Sequence, residues 1–225
     1  MMRVRTEWIV AGYCAAVLTV YAWKPSFTNA SQPVRGITDP VIALEMARTV
    51  DDVDNVLGDT PSPDREVMRI KQYVGLALIP GYTALAWLAA ASLGRRGIWK
   101  VVGRTTIAIT VLAAAHDVAV NLTILRLVDL PLAGTGPKIL HDVFARGFFK
   151  WALLALAMGL LGVMVSALAP RIWLRAVGWL AISAAALTAF GLFQNAILIW
   201  GAVSMVTALL LMAATLKLLT HESVT

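Results

Sequence analysis

The chain has 225 residues, of which 59% are hydrophobic and only 14% are charged, with a formal net charge of +6. A soluble domain has about 45–50% apolar and about 25% charged residues. Because the excess lies in long uncharged runs, the composition excludes an ordinary water-soluble fold. Basic residues that flank membrane helices and face anionic lipid explain the positive charge, so we expect a lipid bilayer and no nucleic acid as partner.

The apolar runs predict an all-α fold, in which one membrane domain covers residues 1–225 as a bundle of six transmembrane helices. A helix needs about 20 mostly apolar residues to cross a bilayer, and several runs meet that length. The predicted spans, in chain order, are 8–23, 73–93, 105–125, 151–168, 177–193 and 196–216.

The first and the last of these spans depend on local signals. The first run also resembles a signal peptide with a possible cleavage site at residues 28–30, and that alternative stays open. Its single cysteine, Cys14, reads as a small apolar filler. The 40 apolar residues from 177 to 216 would form a helix of about 60 Å, twice the hydrocarbon thickness. We therefore expect a turn at Gly191, Gln194 and Asn195.

The long polar stretch at residues 24–72 predicts a short amphipathic helical cap between the first two membrane helices. Asp39-Pro40 is typical of a helix start, and Thr49 with Asp52 three residues later resembles a capping box. The acidic residues of the cap are expected on a solvated face, where they form a candidate partner surface. These residues are Glu45, Asp51 and Asp52.

The distribution of lysine and arginine predicts the orientation. Dense basic clusters occupy residues 95–104 and 171–175, and short basic loops favour the cytoplasmic side. We therefore expect a multi-pass protein of the cell membrane with both termini in the cytoplasm and the cap on the outer side.

Asp117 is the most informative polar residue because it lies about 18 Å along the predicted third span. Asn121 follows one turn later on the same face. An ionised carboxylate in lipid costs at least about 2.5–3.5 kcal/mol, so Asp117 must face the bundle, be protonated or be paired. We predict a candidate ligand-binding pocket here, with an interhelical hydrogen-bond clasp as the alternative. Further candidate lining residues are His116, Tyr82 and Lys71.

Two His-Asp pairs, at 116–117 and 141–142, raise the question of a metal ion or haem. The first pair lies within a predicted span, and the second lies about 15 Å outside the membrane end of the next span, before residue 151. Metal ligands must converge on one ion, so the two pairs are too far apart. We predict no metal, no cofactor and no catalytic residues, which disfavours an enzyme.

The stretch DPVIALEMARTVDDVDNVLGD, followed by IPGYTAL and a helix with Asp117-x-x-x-Asn121, resembles an uncharacterised family of small bacterial polytopic membrane proteins. The resemblance covers roughly residues 39–150. It implies a bacterial inner-membrane setting and carries no function. The family pattern has an acidic residue just before the asparagine, where this chain has Val120, so a pair of carboxylates acting as acid and base is not expected.

Three functions are compatible with these patterns. The first is small-molecule or ion binding, or a transport-like function, at a pocket around Asp117 and Asn121 that the cap partly covers. The alternative is a structural or regulatory subunit of a membrane complex, which acts through the cap; its expected partner is a membrane protein or, alternatively, a second copy of the chain. The third is a membrane enzyme acting on lipid with His141, Asp142 or His116.

Overall fold

A computed structural model of the chain describes residues 6–23, 26–28, 34–95 and 97–221. Within these ranges the structure is helical and has no β-strand, which confirms the predicted all-α class. The helices are α1 (Thr6–Ala22), α2 (Pro40–Glu45), α3 (Val50–Leu57), α4 (Pro63–Leu93), α5 (Ile98–Val128), α6 (Pro137–Leu168), α7 (Ile172–Gly191) and α8 (Leu198–His221).

Five helices, α4 to α8, are long and apolar enough to cross a membrane. The longest three have 31 or 32 residues, which corresponds to about 46–48 Å and exceeds a hydrocarbon core of about 30 Å. Their ends therefore project beyond the hydrocarbon core. α4 begins at Pro63, before the predicted span of 73–93, because its first turns are polar and lie outside the apolar run. α1 is apolar but has only 17 residues. These helices indicate a multi-pass membrane protein.

The five long helices pack in chain order, and α8 returns to α4 so that they form a ring, with α1 packed against α4 and α8. Small residues let α6 and α7 approach closely. A Cβ atom on Gly162 would lie 2.7 Å from the carbonyl oxygen of Gly178. The expected turn between the last two spans is present, because α7 ends at Gly191 and a 3₁₀ turn at Asn195–Ile197 precedes α8.

The contact between α1 and α4 lies beside Pro80, through which α4 continues without a break. The hydroxyl of Tyr13 donates a hydrogen bond to the carbonyl oxygen of Ala77. A neighbouring helix thus supplies a hydrogen-bond donor to the backbone of α4 near the proline. A Cβ atom on Gly81 would lie 2.6 Å from the sulfur of Cys14, which is buried. Cys14 thus packs as the small filler that the sequence predicts. Residues 29 and 30 of the candidate cleavage site lie outside the described residues.

The polar stretch before α4 forms the two predicted short helices. Asp39 caps α2 by accepting hydrogen bonds from the backbone N–H groups of Val41 and Ile42, at 3.0 and 2.9 Å. Thr49 and Asp52 form the expected capping box at the start of α3. We call residues 34–57 the α2–α3 segment; α2 packs against α5 and α6, and the side of the membrane on which it lies stays a prediction.

Candidate functional site

Six polar side chains from four helices meet inside the bundle, and we call them the polar cluster. Five of them are buried, with 3–9% of their surface exposed, and the sixth, Tyr82, is half-buried. The cluster consists of Glu45 on α2, Tyr82 on α4, Asp117 and Asn121 on α5, and Lys150 and Trp151 on α6. The short helix α2 thus contributes one residue to a site whose other residues lie on three of the long apolar helices.

Lys150 lies at the centre of the polar cluster. Its Nζ atom is 2.6 Å from Oε1 of Glu45 and 3.2 Å from Oδ1 of Asp117. The same ammonium group lies 4.5 Å from the centroid of the Trp151 ring, a favourable cation–π distance. Two carboxylates therefore share one ammonium, and the fully ionised cluster has a formal net charge of −1.

Neutral donors complete the hydrogen bonding of both carboxylates. The Tyr82 hydroxyl donates to Oδ2 of Asp117 at 2.9 Å, and the Asn121 amide donates to Oδ1 at 2.9 Å. The Trp151 indole N–H donates to Oε2 of Glu45 at 2.8 Å. Every carboxylate oxygen in the cluster therefore accepts at least one hydrogen bond, as buried polar groups require.

A glycine on α6, Gly147, lets α2 approach closely enough to reach the cluster. A Cβ atom on Gly147 would lie 2.7 Å from the backbone oxygen of Glu45 and 3.3 Å from its Cβ, so only glycine leaves room for α2 at this distance. One turn earlier along α6, the Arg48 guanidinium lies 4.3 Å from the centroid of the Phe144 ring. These contacts hold α2 directly against α6, where Glu45 covers Lys150.

The structure brings together three of the five predicted pocket residues: Asp117, Asn121 and Tyr82. Lys71 lies next to the end of α1. Its ammonium group donates a hydrogen bond to the backbone oxygen of Tyr21, and its Nζ atom lies 4.6 Å from the centroid of the Tyr21 ring. His116 is half-buried and its ring centroid lies 5.7 Å from that of Phe149. The expectation that Lys71 reaches Asp117 is therefore wrong, because Lys71 serves the carbonyl end of another helix.

The expectation of a solvated face for the acidic residues between α1 and α4 is right for Asp51, which is exposed, and wrong for Glu45 and Asp52. Glu45 is 3% exposed because it pairs with Lys150. Asp52 is 8% exposed and accepts hydrogen bonds from the Arg35 guanidinium and from backbone N–H groups. Burial acts to raise the pKa of Asp52, but these donors outweigh it and hold that pKa below its usual value.

Neither Lys150 nor Trp151 is among the residues that the sequence predicts for this site. Two signals could have found the cluster. Lys150 interrupts an apolar and aromatic run at the start of a predicted span, and its charge is opposite to that of Asp117. Glu45 is the single charged residue between Asp39 and Arg48 in the sequence PVIALEMA, which indicates burial rather than a solvated face.

A pocket of about 510 Å³ lies at the N-terminal end of α4, away from the polar cluster, with Ser62, Arg65 and Arg69 among its lining residues. Arg65 donates to the carbonyl oxygens of Gly58 and Val128, and Arg69 pairs with acidic neighbours. The two arginines therefore tie the starts and ends of neighbouring helices together.

Within the described ranges, no group of three or more His, Cys, Asp or Glu side chains is placed to hold a metal ion. Comparisons of the chain with protein families, with curated proteins and with solved structures found no match.

Proposed function

We propose that this chain is a six-helix protein of the bacterial cell membrane that binds a small solute or ion at the polar cluster, with a transport-like function. In this proposal α1 is the sixth span, because its 17 residues extend about 26 Å and it packs beside α4 and α8. Both termini lie in the cytoplasm, and the α2–α3 segment covers the cluster from the outer side.

The observation that carries the proposal is the convergence of Glu45, Asp117 and Lys150 from three separate helices into one buried cluster. Ionisable residues among membrane helices are costly, and they typically mark substrate, ion or proton sites. A packing role alone gives little reason for such a cluster, because apolar side chains of similar volume often stabilise a protein as well as a buried ion pair does.

The position of α2 supports a transport-like role in particular. α2 is a single short helix of six residues, and yet it supplies one of the two carboxylates. Movement of so short a helix away from α6 would open the cluster to one side while the long helices keep their places, which is the kind of gating that an occluded site needs.

The complete hydrogen bonding of Asp117 favours the second function, a structural or regulatory subunit of a membrane complex. Its carboxylate joins Tyr82 of α4 and Lys150 of α6, as an interhelical clasp does. In this case the cluster would fix α2 in one place, and exposed residues of α3 such as Asp51 would contact the partner.

Solid-supported membrane electrophysiology on the full chain in liposomes distinguishes the two functions. The probes are steps in pH and in the concentrations of Na⁺, K⁺, ammonium and small carboxylates. We expect at least one step to give a current that Asp117→Asn abolishes and that the exposed control variant Asp51→Asn retains. Currents absent in the wild type, or equal in the wild type and Asp117→Asn, would refute the transport-like function.

A further inference from the structure

We infer that the ligand of the polar cluster is a single proton, which Glu45 holds beside Lys150 and Asp117 while α2 is docked. This inference rests on the proposed function and names its ligand. The uptake of one proton would change the formal charge of the buried cluster from −1 to zero.

The charge balance around Glu45 is the first support. Lys150 of α6 pairs with Glu45, Asp117 of α5 pairs with the same ammonium group, and Tyr82 of α4 and Tyr21 of α1 are close enough to interact with Glu45 electrostatically. Of these groups, one is a cation, two are carboxylic acids with Glu45 included, and the tyrosines are neutral in their ordinary state. A buried net charge is costly in a low-dielectric surrounding, and binding one proton removes it.

The geometry favours a proton over a metal cation. Lys150 already occupies the position between the two carboxylates, at 2.6 and 3.2 Å from their oxygens. The other oxygens accept hydrogen bonds from Tyr82 and Trp151, whereas Ca²⁺ takes 6–8 oxygen ligands and Mg²⁺ takes an octahedron. A proton needs only one oxygen, and a protonated carboxyl group keeps acceptor capacity for the surrounding donors.

Glu45 is the group that links the proton to the position of α2. Burial raises the pKa of the Glu45 carboxyl, and Lys150 acts in the opposite direction. When α2 leaves α6, Glu45 returns to water and this burial is lost. The docked state therefore binds the proton more tightly, so acid favours docking, and docking weakens as the pH rises through the raised pKa.

Infrared titration of the full chain in phosphatidylethanolamine and phosphatidylglycerol liposomes tests the inference, with the C=O stretching band of protonated carboxyl groups as the readout. The chain has four glutamates, so labelling with ¹³C-glutamate separates their band from those of the aspartates. As the pH falls, we expect the buried cluster to take up one proton per chain, and we expect the band of this buried carboxyl group to shift to lower wavenumber on glutamate labelling.

Variants make the test decisive. We expect Glu45→Gln and Asp117→Asn each to lose the buried band, because either change alone leaves one carboxylate balanced by Lys150. Asp51→Asn is the matched control and retains the band. A buried band that persists in both Glu45→Gln and Asp117→Asn, or its absence from the wild type, overturns the inference, and if Asp117→Asn does not fold, Glu45→Gln decides alone.

The two proposals fail separately. Proton uptake without any current in the electrophysiology would leave this inference standing and refute transport. A solute-dependent current without a buried carboxyl band would support transport and refute the proton as the ligand.

Discussion

Replacement of Lys150 with methionine removes the ammonium that two buried carboxylates share. The formal charge of the fully ionised cluster then changes from −1 to −2, while the volume of the side chain is nearly kept. Breaking a buried ion pair from one side costs about 3–5 kcal/mol. For a chain of this length, 1 kcal/mol corresponds to about 2–4 °C in the melting temperature, so we expect a decrease of about 6–20 °C.

Thermal unfolding in mild detergent, followed by the fluorescence of the eight tryptophans, measures this decrease. Lys138→Met is the matched control, because Lys138 is exposed on the same helix, and we expect it to change stability by no more than about 0.5 kcal/mol. Adding Glu45→Gln to Lys150→Met returns the charge to −1 and should restore part of the loss. A decrease below about 2 °C for Lys150→Met, or no restoration by Glu45→Gln, would show that the cluster does not depend on this ammonium.

Three further predictions address the surroundings of the cluster. Gly147→Ala should cost about 1–3 kcal/mol in thermal unfolding because its Cβ would meet the backbone of α2 at 2.7 Å. Gly12→Ala, with nothing within 4 Å, should instead stabilise the protein by up to about 1 kcal/mol because alanine favours a helix; equal melting temperatures of the two variants would contradict the docking of α2. Tyr82→Phe should cost about 1–3 kcal/mol because a buried carboxylate loses a donor, unlike the exposed Tyr73→Phe, and urea unfolding of the two variants tests this. The folded-state pKa of Asp52 is lowered. Its contribution to the stability of the folded state is therefore present above the unfolded pKa of about 3.9 and is lost as the pH falls through the lowered pKa. If Asp52→Asn left the melting temperature unchanged at every pH, this prediction would be refuted.

The sequence predicts the membrane class and the helical fold because both follow from local composition. Each long apolar run must satisfy its own backbone hydrogen bonds in lipid, and a helix does so within the run. The caps at Asp39 and Thr49 are equally local, since donor and acceptor lie within three residues of each other. The turn after Gly191 follows from the length of the apolar run that it divides.

The site could be predicted only in part. Asp117, Asn121 and Tyr82 are recognisable because a carboxylate within an apolar span needs partners, and a neighbouring helix can supply them. The pairing of Glu45 with Lys150 joins residues 105 positions apart, and although the local sequence indicates that Glu45 is buried, it does not indicate the partner. The general rule that acidic residues in a polar stretch face water therefore led to the wrong environment for Glu45.

The distance in sequence between Glu45 and Lys150 also has a consequence for biosynthesis. At about 5–20 residues per second of translation, the sequence separation of 105 positions takes about 5–20 s to synthesise. During that time α2 has been made but α6 has not, so the carboxylate of the nascent chain must wait in water or at the bilayer surface. Closure of the polar cluster is thus a late assembly step, which can begin only after α4, α5 and α6 have entered the membrane.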